Sequence, residues 1–135
     1  MKRIRVLLVD DNATFLKAAT TFLAEQPRIE LVGTTLSGRE AVTQTPILKP
    51  DLVLIDLMMP EMDGLEAARL LKQLPDPPAV IVVSLHDDQS FAAAARQAGA
   101  DGFLSKRGFS TQLMPLVESL IRDTPDAGSD PLSTP

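Results

Sequence analysis

Four stretches of this chain are apolar with little or no interruption, and each ends on a polar residue. Residues 4–9, broken only by Arg5, run into Asp10-Asp11; residues 52–55 run into Asp56; residues 79–83 run into Ser84; and the short Gly102-Phe103-Leu104-Ser105 runs into Lys106. Such runs, rich in branched residues and lacking polar alternation, predict strands buried on both faces of a parallel sheet. Residues 29–34 predict a fifth strand, nearer the sheet edge because Glu30 interrupts it. Between the strands, apolar positions recur at helical spacing. Phe15, Ala18, Ala19, Phe22 and Leu23 follow Asn12, a residue suited to an N-cap, and stop before Pro27. Ser37 caps a second helix containing Glu40, Ala41 and Val42, which Pro46 should end or kink. Asp63-Gly64 turns into an amphipathic helix over 65–72, whose Glu66, Arg69 and Lys72 read as a wet face. Ser90 opens an alanine-rich helix over 91–98, closed by Gly99, with Ala92 to Ala95 permitting close packing. Ser110 precedes a last helix through Ile121, whose start Pro115 places nearer Met114 than Thr111.

Strands alternating with helices predict an α/β domain with a doubly wound parallel sheet and helices on both faces. At 135 residues the chain has room for one core without staples, and it has no cysteine to make disulfides or thiolate metal sites. Residues 1–122 are expected to form the domain. Residues 123–135, with three prolines and little apolar content, are expected to be a flexible tail or the start of a linker. Met1-Lys2-Arg3 mimics the start of a signal peptide, but the following run ends at Asp10-Asp11 without a cleavage site. No apolar stretch approaches a membrane span, and the expected setting is cytoplasmic. A net charge of −5 argues against direct binding of nucleic acid.

The chemistry lies in the strand ends, which share one edge of a parallel sheet and so can converge. Asp10, Asp11 and Asp56, gathered without compensating cations, would raise one another's pKa. A hard divalent cation relieves that, and oxygen ligands favour magnesium, with manganese as the alternative. Lys106 supplies a mobile point charge for a phosphoryl oxygen, and Ser84 a hydroxyl. Asp56 is then both metal ligand and nucleophile, forming an aspartyl phosphate. Taken singly, the acidic doublet would be a helix cap, Ser84 a strand-end hydroxyl and Lys106 a solvated lysine. Their weight comes from falling on successive strand ends.

These residues, with Asp56-Leu57-Met58-Met59-Pro60, Met62-Asp63-Gly64 and Gly99-Ala100-Asp101-Gly102-Phe103-Leu104-Ser105-Lys106, resemble the receiver domain of response regulators in two-component signalling. The resemblance spans about residues 4–122, and the Gly-Phe-Leu-Ser-Lys wording is similar to receivers of the NarL/LuxR type. It implies a flavodoxin-like fold with strand order 2-1-3-4-5. It implies that Asp56 takes phosphate from a histidine kinase or phosphotransfer protein, and that Asp11, Asp56 and the Met58 carbonyl bind magnesium, with Asp10 acting partly through water. Ser84 and Phe103 would form the switch, Ser84 moving towards the phosphate and Phe103 turning into the space it leaves. That change would be read out on the surface around residues 91–103 and the last helix, and a homodimer on phosphorylation follows from the same resemblance. The domain would phosphorylate itself and lose phosphate slowly without being a turnover enzyme. Met58 and His86 stand where the family tunes phosphate lifetime; neither is suited to activate water, which implies slow loss. His86, the single histidine, otherwise reads as a loop residue, and Met58, Met59 and Met62 as loop and gap-filling residues. Arg107 departs from the proline that many receivers carry after the lysine, so no cis peptide is carried over to that position.

Other functions fit less well. A dehalogenase-like phosphatase wants Asp-x-Asp at one strand end, which neither Asp10-Asp11-Asn12 nor Asp56-Leu57-Met58 supplies. A flavodoxin-like cofactor binder would have its phosphate repelled by the first strand's acids. A docking module without phosphorylation would have no use for the full acidic set with Ser84 and Lys106.

Overall fold

The unbroken apolar runs form strands because a strand covered by helices on both faces has no wet side to spend polar residues on. The computed structural model describes residues 2–85 and 89–123. In chain order these form β1 (Ile4–Val9), α1 (Ala13–Ala24), β2 (Ile29–Thr35), α2 (Gly38–Leu48), β3 (Leu52–Asp56), α3 (Gly64–Lys72), β4 (Ala79–Ser84), α4 (Gln89–Gln97), β5 (Gly102–Ser105) and α5 (Phe109–Asp123). The strands are all parallel, in the order β2-β1-β3-β4-β5, as the family resemblance implies. β2 lies at an edge, where Glu30 is tolerated, and its register slips opposite Val6 and Leu7 so that Val32 is bulged out.

Alternation along each strand divides the core in two. Val6 and Leu8 of β1, Leu54 of β3 and Ile81 of β4 face Ala19 and Leu23 of α1 and Leu113 and Val117 of α5. Leu7, Val9, Val53, Ile55, Val80 and Val82 face the other way, onto Ala41 of α2, Ala67, Ala68 and Leu71 of α3, and Ala95 of α4. The second face is lined with alanine, and helices sit close there. A Cβ on Gly38 of α2 would stand 3.1 Å from the Ala67 side chain.

Two N-caps expected from sequence, Asn12 and Ser37, form as read, whereas Ser90 falls inside α4, which begins at Gln89. Asn12 accepts from the Phe15 amide at 2.9 Å and Ser37 from that of Glu40 at 3.1 Å, while Gly99 takes the positive φ of 99° that closes α4. Three further expectations are corrected, the first of them in part. Pro46 does not end α2, which continues to Leu48. The donor that Pro46 lacks falls in the last turn, and Arg5 reaches over from β1 to donate to the Leu48 carbonyl at 2.6 Å. α5 starts at Phe109, well before Met114, because Phe109 is buried and anchors the first turn, leaving Pro115 on an exposed position inside the helix. Lys72 is not simply part of a wet face: its Nζ donates to the Asp101 carboxylate and to the Pro78 carbonyl, both at 2.9 Å. Among the described residues every peptide bond is trans. His86 and residues 124–135 of the expected tail lie outside the described residues.

Candidate functional site

Five polar side chains are buried among the described residues, and three of them, Asp10, Asp56 and Ser84, close the three central strands at one edge. The parallel register brings them there. Val9 pairs with Ile55 and Asp56 with Val83, so Asp10 and Asp56 leave neighbouring strands at one level and Ser84 follows one step along β4. Asp11, exposed, completes an acidic group whose ligand oxygens all lie within 4.8 Å of one another.

Contrary to the sequence reading, the carboxylates do have a cation among them. Lys106 leaves the end of β5, its amide held by the Ser84 carbonyl at 2.6 Å, and its Nζ stands 2.9 Å from Asp10 Oδ2 and 3.5 Å from Asp56 Oδ1. With 9% of its side chain exposed it is a packed residue and not a mobile surface charge. It does not balance the cluster: three carboxylates face one ammonium. The Asp56 carboxyl is accordingly raised from 3.8 to about 6, first because burial disfavours its charge and then because Asp10 is close. Lys106 and the Met58 backbone N–H, which donates to the carboxylate, pull the other way.

The residues present suit a hard divalent cation. They offer only oxygen, are short of positive charge, and include in Asp10 Oδ2 a buried atom that receives no aligned hydrogen bond, the nearby ammonium notwithstanding. Asp10 Oδ1 is taken by the Asn12 amide at 2.8 Å.

Met58 is exposed, Met59 is buried in the alanine-lined core and Met62 packs against it, in keeping with loop and gap-filling roles. Phe103, on β5 opposite Val82, is half-buried against that same core. The site also depends on residues that were visible in sequence only as part of a motif or a helix face. Gly64 opens α3 directly over the end of β3: a Cβ there would stand 2.3 Å from the Asp56 carbonyl oxygen, and its amide donates to the Leu57 carbonyl at 2.9 Å. The available signal was Met-Asp-Gly, with Asp63 as the N-cap accepting from Glu66. Phe15, visible in sequence only as part of an apolar stripe, lies under Lys106 with its ring centroid 4.5 Å from Nζ.

Residues 6–118 match the model of the response regulator receiver domain. The chain belongs to that family. Among curated relatives, the receiver is 36% identical over 124 residues to protein-glutamate methylesterase/protein-glutamine glutaminase 3 of Geobacter sulfurreducens, covering 90% of this chain and 33% of the relative. It is 33% identical over 117 residues to the transcriptional regulatory protein DegU of Brevibacillus brevis, covering 86% and 49%. The chain thus spans between a third and a half of these relatives. Solved structures of similar fold include the signal receiver domain of the putative response regulator NarL from Mycobacterium tuberculosis, with a TM-score of 0.82, 29% identity, and 89% and 97% coverage of the two chains. The response regulator domain of Thermotoga maritima CheB matches with a TM-score of 0.80, 29% identity, and 87% and 96% coverage. Two-component phosphoacceptor signalling is the function of this family. No helix among the described residues is long and apolar enough to cross a membrane.

Proposed function

We propose that Asp56 is the phosphoacceptor of this receiver, taking a phosphoryl group from a histidine kinase or phosphotransfer protein in the cytoplasm. The observation that carries this is one buried carboxylate, Asp56, with Lys106 Nζ 3.5 Å away and Asp10 and Asp11 within 4.8 Å. An Asp56 oxygen forms the new bond to phosphorus as the donor's phosphorus–nitrogen bond breaks, and the electron pair leaves with the donor imidazole. Lys106 stabilises the charge on the phosphoryl oxygens, its ammonium already largely desolvated and standing against both Asp10 and Asp56. Asp10, Asp11, Asp56 and the Met58 carbonyl would hold magnesium, or manganese, which when bound supplies charge neutralisation for the phosphoryl oxygens.

Once made, the phosphoryl group carries roughly −1.5 to −2 charges in place of the single charge of the Asp56 carboxylate, and it brings three acceptor oxygens to the site. Ser84 ends β4 on the same sheet edge as Asp56, and Phe103 lies half-buried on the next strand. This pair is our reading of the switch, a population shift whose output reaches a partner or a second copy of the chain. The domain acts as a switch that phosphorylates itself and loses phosphate slowly, with Met58 and His86 setting the lifetime, and not as a turnover enzyme. Rapid loss of label after donor removal would overturn the slow reset.

Intact mass after incubation with magnesium and a small-molecule phosphodonor tests the reading. Wild type should gain a single phosphate that depends on magnesium, and Asp56→Asn should gain none. A folded wild-type protein that gains nothing would instead be a docking module.

A further inference from the structure

We propose that Phe15 is a positioning residue for the Asp56 chemistry, holding the Lys106 ammonium on the face of its ring. The inference rests on the phosphoacceptor reading and assigns a role to a residue that touches neither phosphate nor metal in it.

Lysine is the side chain least suited to hold a charge still. Its stem is flexible, its ammonium strongly hydrated, and on an open surface it swings to water. Here the stem is confined. Nζ lies 4.5 Å from the Phe15 ring centroid, 2.9 Å from Asp10 Oδ2 and 3.5 Å from Asp56 Oδ1. The ring supplies a negative quadrupole where water would otherwise draw the ammonium away, and an attraction of this kind strengthens as the site dries.

The ring is itself held. Phe15 packs edge-to-face with Phe109, centroids 5.3 Å apart at 82°, and Phe109 packs likewise on Phe22 at 5.8 Å and 69°. Phe109 is buried and opens α5, three residues beyond the lysine it helps to place. Three of the chain's five phenylalanines thus form one cluster with Lys106 at its edge. A leucine at position 15 would fill much of the space but would lack the quadrupole. Lys106 would then settle against Asp10 or turn to water, leaving the charge opposite Asp56 poorly placed for the incoming phosphoryl oxygens.

Two measurements on the full chain test this. Proton NMR of the metal-free protein needs no phosphorylation: the Lys106 ε-methylene should be displaced upfield by the ring current in wild type, and Phe15→Leu should abolish the displacement. The second is the rate of adduct formation with magnesium and acetyl phosphate, for wild type, for Phe15→Leu, and for proteins whose Phe15 ring is progressively fluorinated. Fluorination weakens the quadrupole while keeping shape, so rates should fall in step with it, reaching a loss of roughly five- to tenfold in Phe15→Leu, with urea midpoints of the fluorinated proteins unchanged. An ε-methylene at its ordinary shift overturns the contact. Slowing in Phe15→Leu that fluorination does not reproduce overturns the positioning role and leaves packing alone. A wild type that shows the ring-current shift but forms no adduct overturns the phosphoacceptor reading, and the role of Phe15 in it, while the contact itself stands.

Discussion

Asp56 is charged at a cost in free energy. In the metal-free protein its carboxyl is raised from 3.8 to about 6, chiefly by burial. The folded state therefore holds this proton more tightly than the unfolded chain, so stability rises as pH falls from about 6 towards 3.8 and is lost as pH rises through about 6. Asp56→Asn removes the ionised form. Above that window it should stabilise the metal-free protein by roughly 3 kcal/mol, and below it the advantage should vanish; urea denaturation at both ends of the range checks the sign. Asp56 and Lys106 were legible in the sequence because a residue that ends a buried strand can go only to the sheet edge. Phe15 was not, because a helical period tells which face is apolar and says nothing of which side chain from another strand end lies on it. The partial neutralisation of the acids by Lys106 escaped for the same reason: convergence at an edge could be read from order, distance could not.

At the scale of elements, two junctions support the site. The first is α3 against the end of β3, where Gly64 leaves no room for a side chain. Gly64→Ala should push α3 off the Asp56 carbonyl, cost several kcal/mol (about the upper range for overpacking), and slow adduct formation; a stability like wild type's would show that the helix start can yield. The second is the brace between α3 and the segment entering β5, where Asp101 Oδ2 accepts both from Lys72 and from the Val80 amide at 2.8 Å. The ion pair is partly exposed, so Lys72→Met should cost about 1 kcal/mol or less. Asp101→Ala also orphans a strand amide and should cost about 1–3 kcal/mol. Equal losses in thermal denaturation would count against the backbone contact. Element existence was legible throughout, whereas two helix limits were not. Proline rules describe a lost hydrogen bond, and in α2 the neighbouring Arg5 satisfies the helix end, while in α5 a buried Phe109 anchors a turn that Pro115 does not interrupt.

Across the whole molecule, one five-stranded sheet separates two cores of different grain. The core towards α1 and α5 is built from large side chains, Leu113 and Phe109 among them, and truncation there leaves a hole; Leu113→Ala should cost about 2–5 kcal/mol. The core towards α2, α3 and α4 is built from Ala41, Ala67, Ala68 and Ala95 on the helices and Ala98 just past α4, all buried, so that they have little to lose and added atoms must displace neighbours. Ala68→Leu should cost about 1–3 kcal/mol through strain, and chemical denaturation of the two variants in parallel checks both figures. The opposite grain of the two faces gives them different histories under random substitution. One side is eroded by shrinkage and can be mended by a larger neighbour, whereas the other jams on enlargement and can be relieved only by removing atoms. Repairs found on one side of the sheet are therefore of no use on the other.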